Sequence, residues 1–208
     1  MLIPLNQIVL QYNLHINGVI HVGAHIGQEY PDYVYHGIKN MLFFEPVPVT
    51  FKTLLENITL SDTVKAYNIA LGNETGVRDM YIEKVNTGQS SSLLEPGTHL
   101  EMYPHIIFDN KEEIRIDKLD NIEFDRASFN MINIDIQGFE LEMFKGAIKT
   151  LPFIDIIYTE INTTKVYKDC CLVEELDDFL ELFGFTRVLT DLAPIQWGDA
   201  LYLKNYEK

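Results

Sequence analysis

The chain has 208 residues, 47% of them hydrophobic, and 31 acidic against 16 basic side chains leave a formal charge of −15. That length and content call for a single domain over residues 1–208 with a sizeable core. The charge argues against nucleic acid and anionic membrane surfaces as partners, since both attract clustered Lys and Arg, and with no run of 18 apolar residues no membrane span is expected.

Residues 3–15 have the apolar spacing of an amphipathic helix that stops near Asn17 and Gly18. Residues 1–17 are thus a helical extension, without the basic start or cleavage site of a signal peptide. Val19 to Val22 is a short β-branched strand that runs into Gly23, and residues 27–37 read as a helix stopped by Gly37. Met41 to Glu45 is a buried strand, and Phe51, Leu54, Leu55 and Ile58 share one face of a helix over residues 50–58. Val64 to Leu71 reads as a third strand, residues 72–76 as a turn and Val77 to Glu83 as a strand beyond it. That βαβαβ order is half of a doubly wound α/β sheet. Residues 84–112 have no steady period. Their aromatic residues and two histidines speak for a loop or lid shaping a substrate pocket rather than for plain disorder.

Ile114, Ile116 and Leu119 lead into the second half. There Phe129 to Asp135 is a buried strand ending in an acid, residues 136–138 a turn, residues 139–151 a helix, and Phe153 to Ile161 a strand with Glu160 at its tip. Residues 172–183 form a helix closed by Gly184. Residues 185–189 and 200–204 make an antiparallel pair joined by a loop holding Trp197 and Gly198. The adjacent Cys170 and Cys171 suit neither a disulfide framework nor a CxxC metal site, which favours a reducing, cytoplasmic setting.

The first chemical signal lies between Val19 and Glu29. Strand, tight turn and helix start meet at Gly23 and Gly27, where missing Cβ atoms let a ligand approach and the first helix amides offer donors. The spacing is G-x-x-x-G, short of the third glycine of a dinucleotide fingerprint and without the Lys-Ser/Thr of a P-loop. By itself it fits a nucleotide loop and an ordinary strand–helix turn equally. Glu45 adds to it. Standing 22 residues beyond Gly23 and before Pro46, it marks the tip of the second strand, where a carboxylate accepts both hydroxyls of a ribose. The alternative is a solvated charge at a strand end.

Taken in order, VIHVGAHIGQE, FFEPVPVTFKTLLENI, YNIALGN, INIDIQGFELEMFKGA and the late YTEI and GF segments resemble the FkbM family of S-adenosylmethionine-dependent O-methyltransferases, from about residue 18 to 190. The resemblance implies a Rossmann-like class I methyltransferase fold: a seven-stranded, mostly parallel sheet with an antiparallel last strand and helices on both faces. It implies that Gly23, Ala24, His25 and Gly27 surround the methionine part of the cofactor, with Glu29 beside its ammonium. Glu45 and Pro46 then stand at the ribose, and Asn68 and Ala70 at the adenine. Asp135 lies beside the reactive methyl and is, with His105, the candidate base; its alternative is a carboxylate capping the turn at Gly138. Glu160 orients the acceptor or joins Asp135 on a Mg²⁺ ion, although two acids alone make no metal site.

Ser91, in a serine stretch like the family's, is the preferred acceptor contact, with His99, Tyr103, whose ring can stack on a sugar face, and Gln137 as the further candidates; for the loop serines and histidines a plain polar surface is the alternative. Three positions depart from the family's pattern. His21 stands where many members have an acid and reads more simply as a hydrogen-bonded core histidine, Asn133 replaces a lysine, and Gln137 replaces a carboxylate. The implied activity is methyl transfer to a hydroxyl of a carbohydrate or glycoconjugate acceptor, in company with glycosyltransferases. The competing classes are a non-catalytic cofactor-binding module accompanying a glycosyltransferase and an NAD-dependent oxidoreductase; the missing third glycine speaks against the second.

Overall fold

The structure is a computed structural model that describes residues 2–108, 110–193 and 196–205. Helix α1 (Leu5–Tyr12) leads into strand β1 (Gly18–Val22), helix α2 (Tyr30–Tyr35), strand β2 (Asn40–Phe44), helix α3 (Pro48–Asn57) and strand β3 (Val64–Tyr67). Strands β4 (Ala70–Leu71) and β5 (Gly76–Ile82), the short helix α4 (His99–Met102) and strand β6 (Asn110–Asp117) form the middle of the chain. The second half runs through β7 (Met131–Ile134), α5 (Glu140–Lys145), β8 (Ile156–Asn162), α6 (Val173–Glu181), β9 (Phe185–Leu192) and β10 (Trp197–Lys204). Among the described residues no helix is long and apolar enough to cross a membrane.

Seven strands make the main sheet in the order β3-β2-β1-β7-β8-β10-β9. All run parallel except β10, the last, which is antiparallel to both of its neighbours. Side-chain alternation sorts the two faces. Val19, Met41, Phe43 and Met131 pack with Leu5 and Ile8 of α1, Tyr33 of α2 and Leu54 of α3. Ile20, Val22, Phe44, Ile132 and Ile134 face the other way, into one core with Met143 and Phe144 of α5 and Leu176 and Leu180 of α6. Because both faces are covered, the central strands are buried throughout instead of alternating. The order reverses between β1 and β7, and that reversal leaves a crevice at the C-terminal ends of the strands.

Several boundaries differ from the sequence reading, each for a tertiary reason. The stretch 64–71 is two strands: the Asn68 amide donates to the carbonyls of Glu45 (2.9 Å) and Pro46 (2.8 Å), which draws the chain off the main sheet after Tyr67. β4 joins β5 and β6 in a separate three-stranded sheet, so the strand expected at 77–83 lies outside the main one. The segment read as irregular to residue 112 becomes β6 at Asn110 and is tied down by bridges between Tyr81 and Ser92 and between Pro96 and Tyr167. The first helix ends at Tyr12, and the second begins only at Tyr30, because residues 24–27 close a turn of their own with Gly27 N–H on the Ala24 carbonyl (2.8 Å). The helix read over 139–151 stops at Lys145, since Gly146 packs so tightly that a Cβ there would lie 2.0 Å from the Gly72 carbonyl oxygen. A 3₁₀ turn at Leu151–Phe153 follows and β8 starts at Ile156. Trp197 and Gly198 begin β10 instead of lying in a loop, because β10 pairs with β8 as far as Asn162.

Candidate active site

A cleft of about 700 Å³ opens at the C-terminal ends of β1, β2, β7 and β8, a volume suited to a nucleotide-like ligand. Gly23, Glu45, Asp135 and Glu160 line it from these strand tips, and residues between 86 and 106 supply a further wall. Ala24, Gly27 and Asn68 are not part of its lining. The remaining predicted positions, His25, Glu29, Pro46, Ala70, Ser91, His99, Tyr103, His105 and Gln137, all are.

The glycine turn is shaped by the fold itself. Gly23 (φ +78°) and Gly27 (φ +81°) occupy the left-handed region that favours glycine. A Cβ on Gly23 would stand 1.9 Å from the Asp135 carbonyl oxygen, and one on Gly27 2.8 Å from Leu54 Cδ1. The absent side chains therefore serve the close approach of this turn to the end of β7 and to α3. Gly23→Ala is expected to cost at least ~2 kcal/mol from left-handed strain and overpacking together. Calorimetry should record a thermal midpoint lower by at least ~4 °C, and an unchanged midpoint would contradict this packing.

Glu45 is buried, and each of its oxygens accepts a backbone N–H: Oε2 from His25 (3.0 Å), Oε1 from Val47 (2.8 Å). Burial pushes its pKa up to about 7 against the pull of those amides. Each oxygen keeps a lone pair for a ligand hydroxyl. Asn68 acts from behind, holding the Glu45–Pro46 backbone. His25, at φ +48°, joins two segments, its Nε2 2.8 Å from the Thr87 carbonyl and its Nδ1 2.9 Å from Gln28 Nε2. His21 is a buried ring whose pKa burial lowers, with Nδ1 3.2 Å from the Tyr33 hydroxyl and Nε2 3.4 Å from Asn133 Nδ2. It is a hydrogen-bonded core histidine at the cleft's edge. Glu29 is subject to the opposing cost of burial, but the charge of His21 helps hold its carboxyl below the ordinary glutamate range.

Asp135, Gln137 and Glu160 form one connected set. Gln137, in the left-handed region at φ +56°, donates from Nε2 to Asp135 Oδ1 (2.7 Å) and Glu160 Oε2 (2.6 Å), and its Oε1 accepts from the Tyr167 hydroxyl (2.8 Å). The Ser92 hydroxyl donates to the Gln137 carbonyl (2.8 Å), so the wall segment grips the same turn. Gln137 thus commits its side chain to the two acids. Burial, reinforced by the Asp135 and Glu140 carboxylates, pushes Glu160 well above the usual carboxylate range. The turn-capping role weighed for Asp135 belongs to Glu140, whose Oε1 accepts the N–H groups of Ile136 (3.0 Å) and Gly138 (3.1 Å). An acid two residues after Gly138 was the local sign of it.

Farther along the wall, the Ser91 hydroxyl accepts from Glu83 N–H (3.1 Å). His99 is 4% exposed, with the rings of Tyr103, Phe108 and Tyr167 centred 5.1–5.4 Å away. His105 is exposed, its ring 6.3 Å from that of Tyr103. Sequence reasoning passed over Tyr158, Trp197 and Asp199 as lining residues. Alternation along β8 puts Tyr158 on the face of Glu160, a sign that was available; Asp199 stands directly across from Glu160 only through the β8–β10 register.

Five carboxylates line the cleft (Glu29, Glu45, Asp135, Glu160 and Asp199), and among the described residues no Lys or Arg does. Glu160 and Asp199, directly opposed across β8 and β10, repel each other when both are ionised unless something positive lies near. S-adenosylmethionine fits this donor set, with a sulfonium and an ammonium for the acids and a ribose for the two oriented oxygens of Glu45. Among the described residues no group of three or more His, Cys, Asp or Glu is placed to hold a metal ion.

A sheet of this order with one antiparallel strand, and a cleft at its reversal point, defines a Rossmann-like S-adenosylmethionine-dependent methyltransferase. The chain belongs to the FkbM methyltransferase family: the family model, described as the methyltransferase FkbM domain, matches residues 21–187. It is similar to the 2-O-methyltransferase NoeI of Sinorhizobium fredii, with 25% identity over 173 residues that cover 79% of this chain and 71% of the relative. In fold it is similar to the magnesium protoporphyrin IX methyltransferase of Synechocystis PCC 6803 with bound S-adenosylmethionine, at a TM-score of 0.55 and 7% identity over 96% of this chain and 75% of that one. It is likewise similar to the N-methyltransferase NodS of Bradyrhizobium japonicum WM9, at 0.53 and 7% over 96% and 93%. The enzyme class sets aside the NAD-dependent oxidoreductase and the non-catalytic module.

Proposed function

We propose that this methyltransferase acts on a hydroxyl oxygen of a sugar or glycan, the product of glycosyltransferases. The observation that carries the reading is the Asp135 carboxylate at the tip of β7, beside the crevice, with one oxygen fixed by Gln137. The similarity to a 2-O-methyltransferase supports oxygen as the nucleophile. When bound, S-adenosylmethionine supplies an electrophilic methyl and a neutral leaving group. The chain's part is to hold, orient and deprotonate. Glu45 takes the ribose hydroxyls, while Glu29 and the acids at the ends of β7 and β8 face the positive charges. Orientation of the two reactants can contribute ~7–11 kcal/mol of barrier lowering. Asp135 receives the proton of the attacking hydroxyl, because an alcohol is a poor nucleophile while it keeps that proton. Tyr167 and Gln137 hold the base in place, and the segment from Asn86 to Ile106 screens the cleft from water.

Titration calorimetry with S-adenosylmethionine, followed by measurement of S-adenosylhomocysteine release over a panel of sugars and phenols, tests this. Release with sugars is the expected result. Release with phenols alone would overturn the acceptor class, and no cofactor binding would overturn the whole reading.

A further inference from the structure

The aromatic end of the cleft has a construction that the methyl-transfer reading does not use. Tyr103, at the end of α4, and Trp197, the first residue of β10, are far apart in sequence, yet the indole Nε1–H donates to the tyrosine hydroxyl at 2.9 Å. Both rings line the cleft and both stay partly exposed, so the bond locks them without closing them off. Next to them His99 is 4% exposed, lines the same cleft and has its Nδ1 buried without a hydrogen-bond partner. The His99 ring packs on Tyr103, with centroids 5.1 Å apart, and backs the aromatic pair.

The place of this end in the sheet matters as much as its make-up. Glu45 belongs to the β2 side of Asp135 and Trp197 to the opposite side, beyond β8. Strand β8, with Glu160, lies between β7 and β10, so the aromatic pair stands on the far side of Glu160 from the base. Glu160 and Asp199 stand across from each other on this side, and no Lys or Arg lines the cleft among the described residues. A phosphate or carboxylate on the bound unit would meet carboxyl groups and no cation.

From these observations we propose that Trp197 and Tyr103 form the acceptor subsite, seating the face of one uncharged sugar ring, and that phosphorylated and nucleotide-linked sugars are excluded. This rests on the sugar O-methyltransferase reading and narrows it. Apolar C–H faces of a pyranose cover aromatic rings, and the acidic rim discriminates by charge.

Trp197 is the chain's only tryptophan, so its emission reports the subsite directly. With S-adenosylhomocysteine present, methyl hexopyranosides and cellotetraose are expected to change that emission saturably, while glucose 6-phosphate and uridine diphosphate glucose leave it unaltered. Trp197→Phe is expected to raise the acceptor KM roughly tenfold with the cofactor Kd unchanged. Tyr103→Phe, which keeps both rings and removes only their bond, should raise it less and serves if the tryptophan variant fails to fold. Equal response to phosphorylated sugars, no response to any neutral saccharide while S-adenosylhomocysteine binds, or an unchanged acceptor KM in both variants would overturn the proposal. A saccharide response without any cofactor binding would support the subsite and defeat the methyltransferase reading instead.

Discussion

Asp135→Asn is expected to lower kcat by about 10²–10⁴-fold, the usual contribution of a positioned base, and to weaken S-adenosylmethionine binding by a smaller factor, since the same carboxylate faces the cofactor's positive charge. The amide keeps the shape of the carboxylate and can still accept from Gln137 Nε2, so the turn at residues 135–138, held by Glu140, should stay in place. What is lost is a place for the acceptor's proton. Two companion variants sharpen the result. Glu160→Gln should keep most of the turnover, because burial and the neighbouring carboxylates push Glu160 towards the neutral form that an amide mimics; a Mg²⁺ role for Glu160 would instead make that variant inactive. His105→Ala should also keep most of it, since His105 is an exposed ring against Tyr103. Single-turnover rates of S-adenosylhomocysteine formation measure all three. Full turnover in Asp135→Asn, or a collapse in His105→Ala alone, would move the base to the histidine.

Glu45→Gln is expected to weaken S-adenosylmethionine binding by about 10–100-fold, the value of one or more hydrogen bonds to a charged acceptor. The pH dependence gives an independent check. Burial pushes Glu45 up to about 7, and only the ionised form can accept from both ribose hydroxyls. If binding needs that form, the wild-type Kd should be roughly tenfold weaker at pH 6 than at pH 8, while Glu45→Gln should be flat across the same range. For the free protein the sign is the reverse. A carboxyl with a raised folded-state pKa favours folding below the ordinary glutamate range, and that contribution is lost as pH rises through 7. Calorimetric titration at several pH values decides between these outcomes; a wild-type Kd that does not vary would remove Glu45 from the ribose.

Much of the framework was legible because its causes are local. Gly37 stops α2 with φ +70°, as a left-handed C-terminal residue does. The largely apolar runs at 19–22, 41–44 and 131–134 became central strands because runs buried on both faces admit no alternation. The acids just past or at such strand ends, Glu45, Asp135 and Glu160, fell at the cleft for the same reason. The errors gathered where a distant partner decides. Asn68 ends β3 through carbonyls more than twenty residues earlier. Gly146 ends α5 against Gly72, and Trp197 enters β10 through its register with β8. Even the two glycines of the first turn, correctly marked as special, are required by the Asp135 carbonyl and by Leu54, which no local pattern reveals.

The sequence by itself determined where the chain turns, which runs are buried on both faces, and which acids end up at strand tips, because glycine conformation, proline and side-chain alternation act over a few residues. Only the tertiary structure decided which of those groups meet. Gln137 bridges Asp135 and Glu160, Glu140 takes the turn's amides, and Tyr103 finds Trp197. Sheet order and strand register bring residues from opposite ends of the chain within hydrogen-bond reach, and neither is written in any short stretch of it.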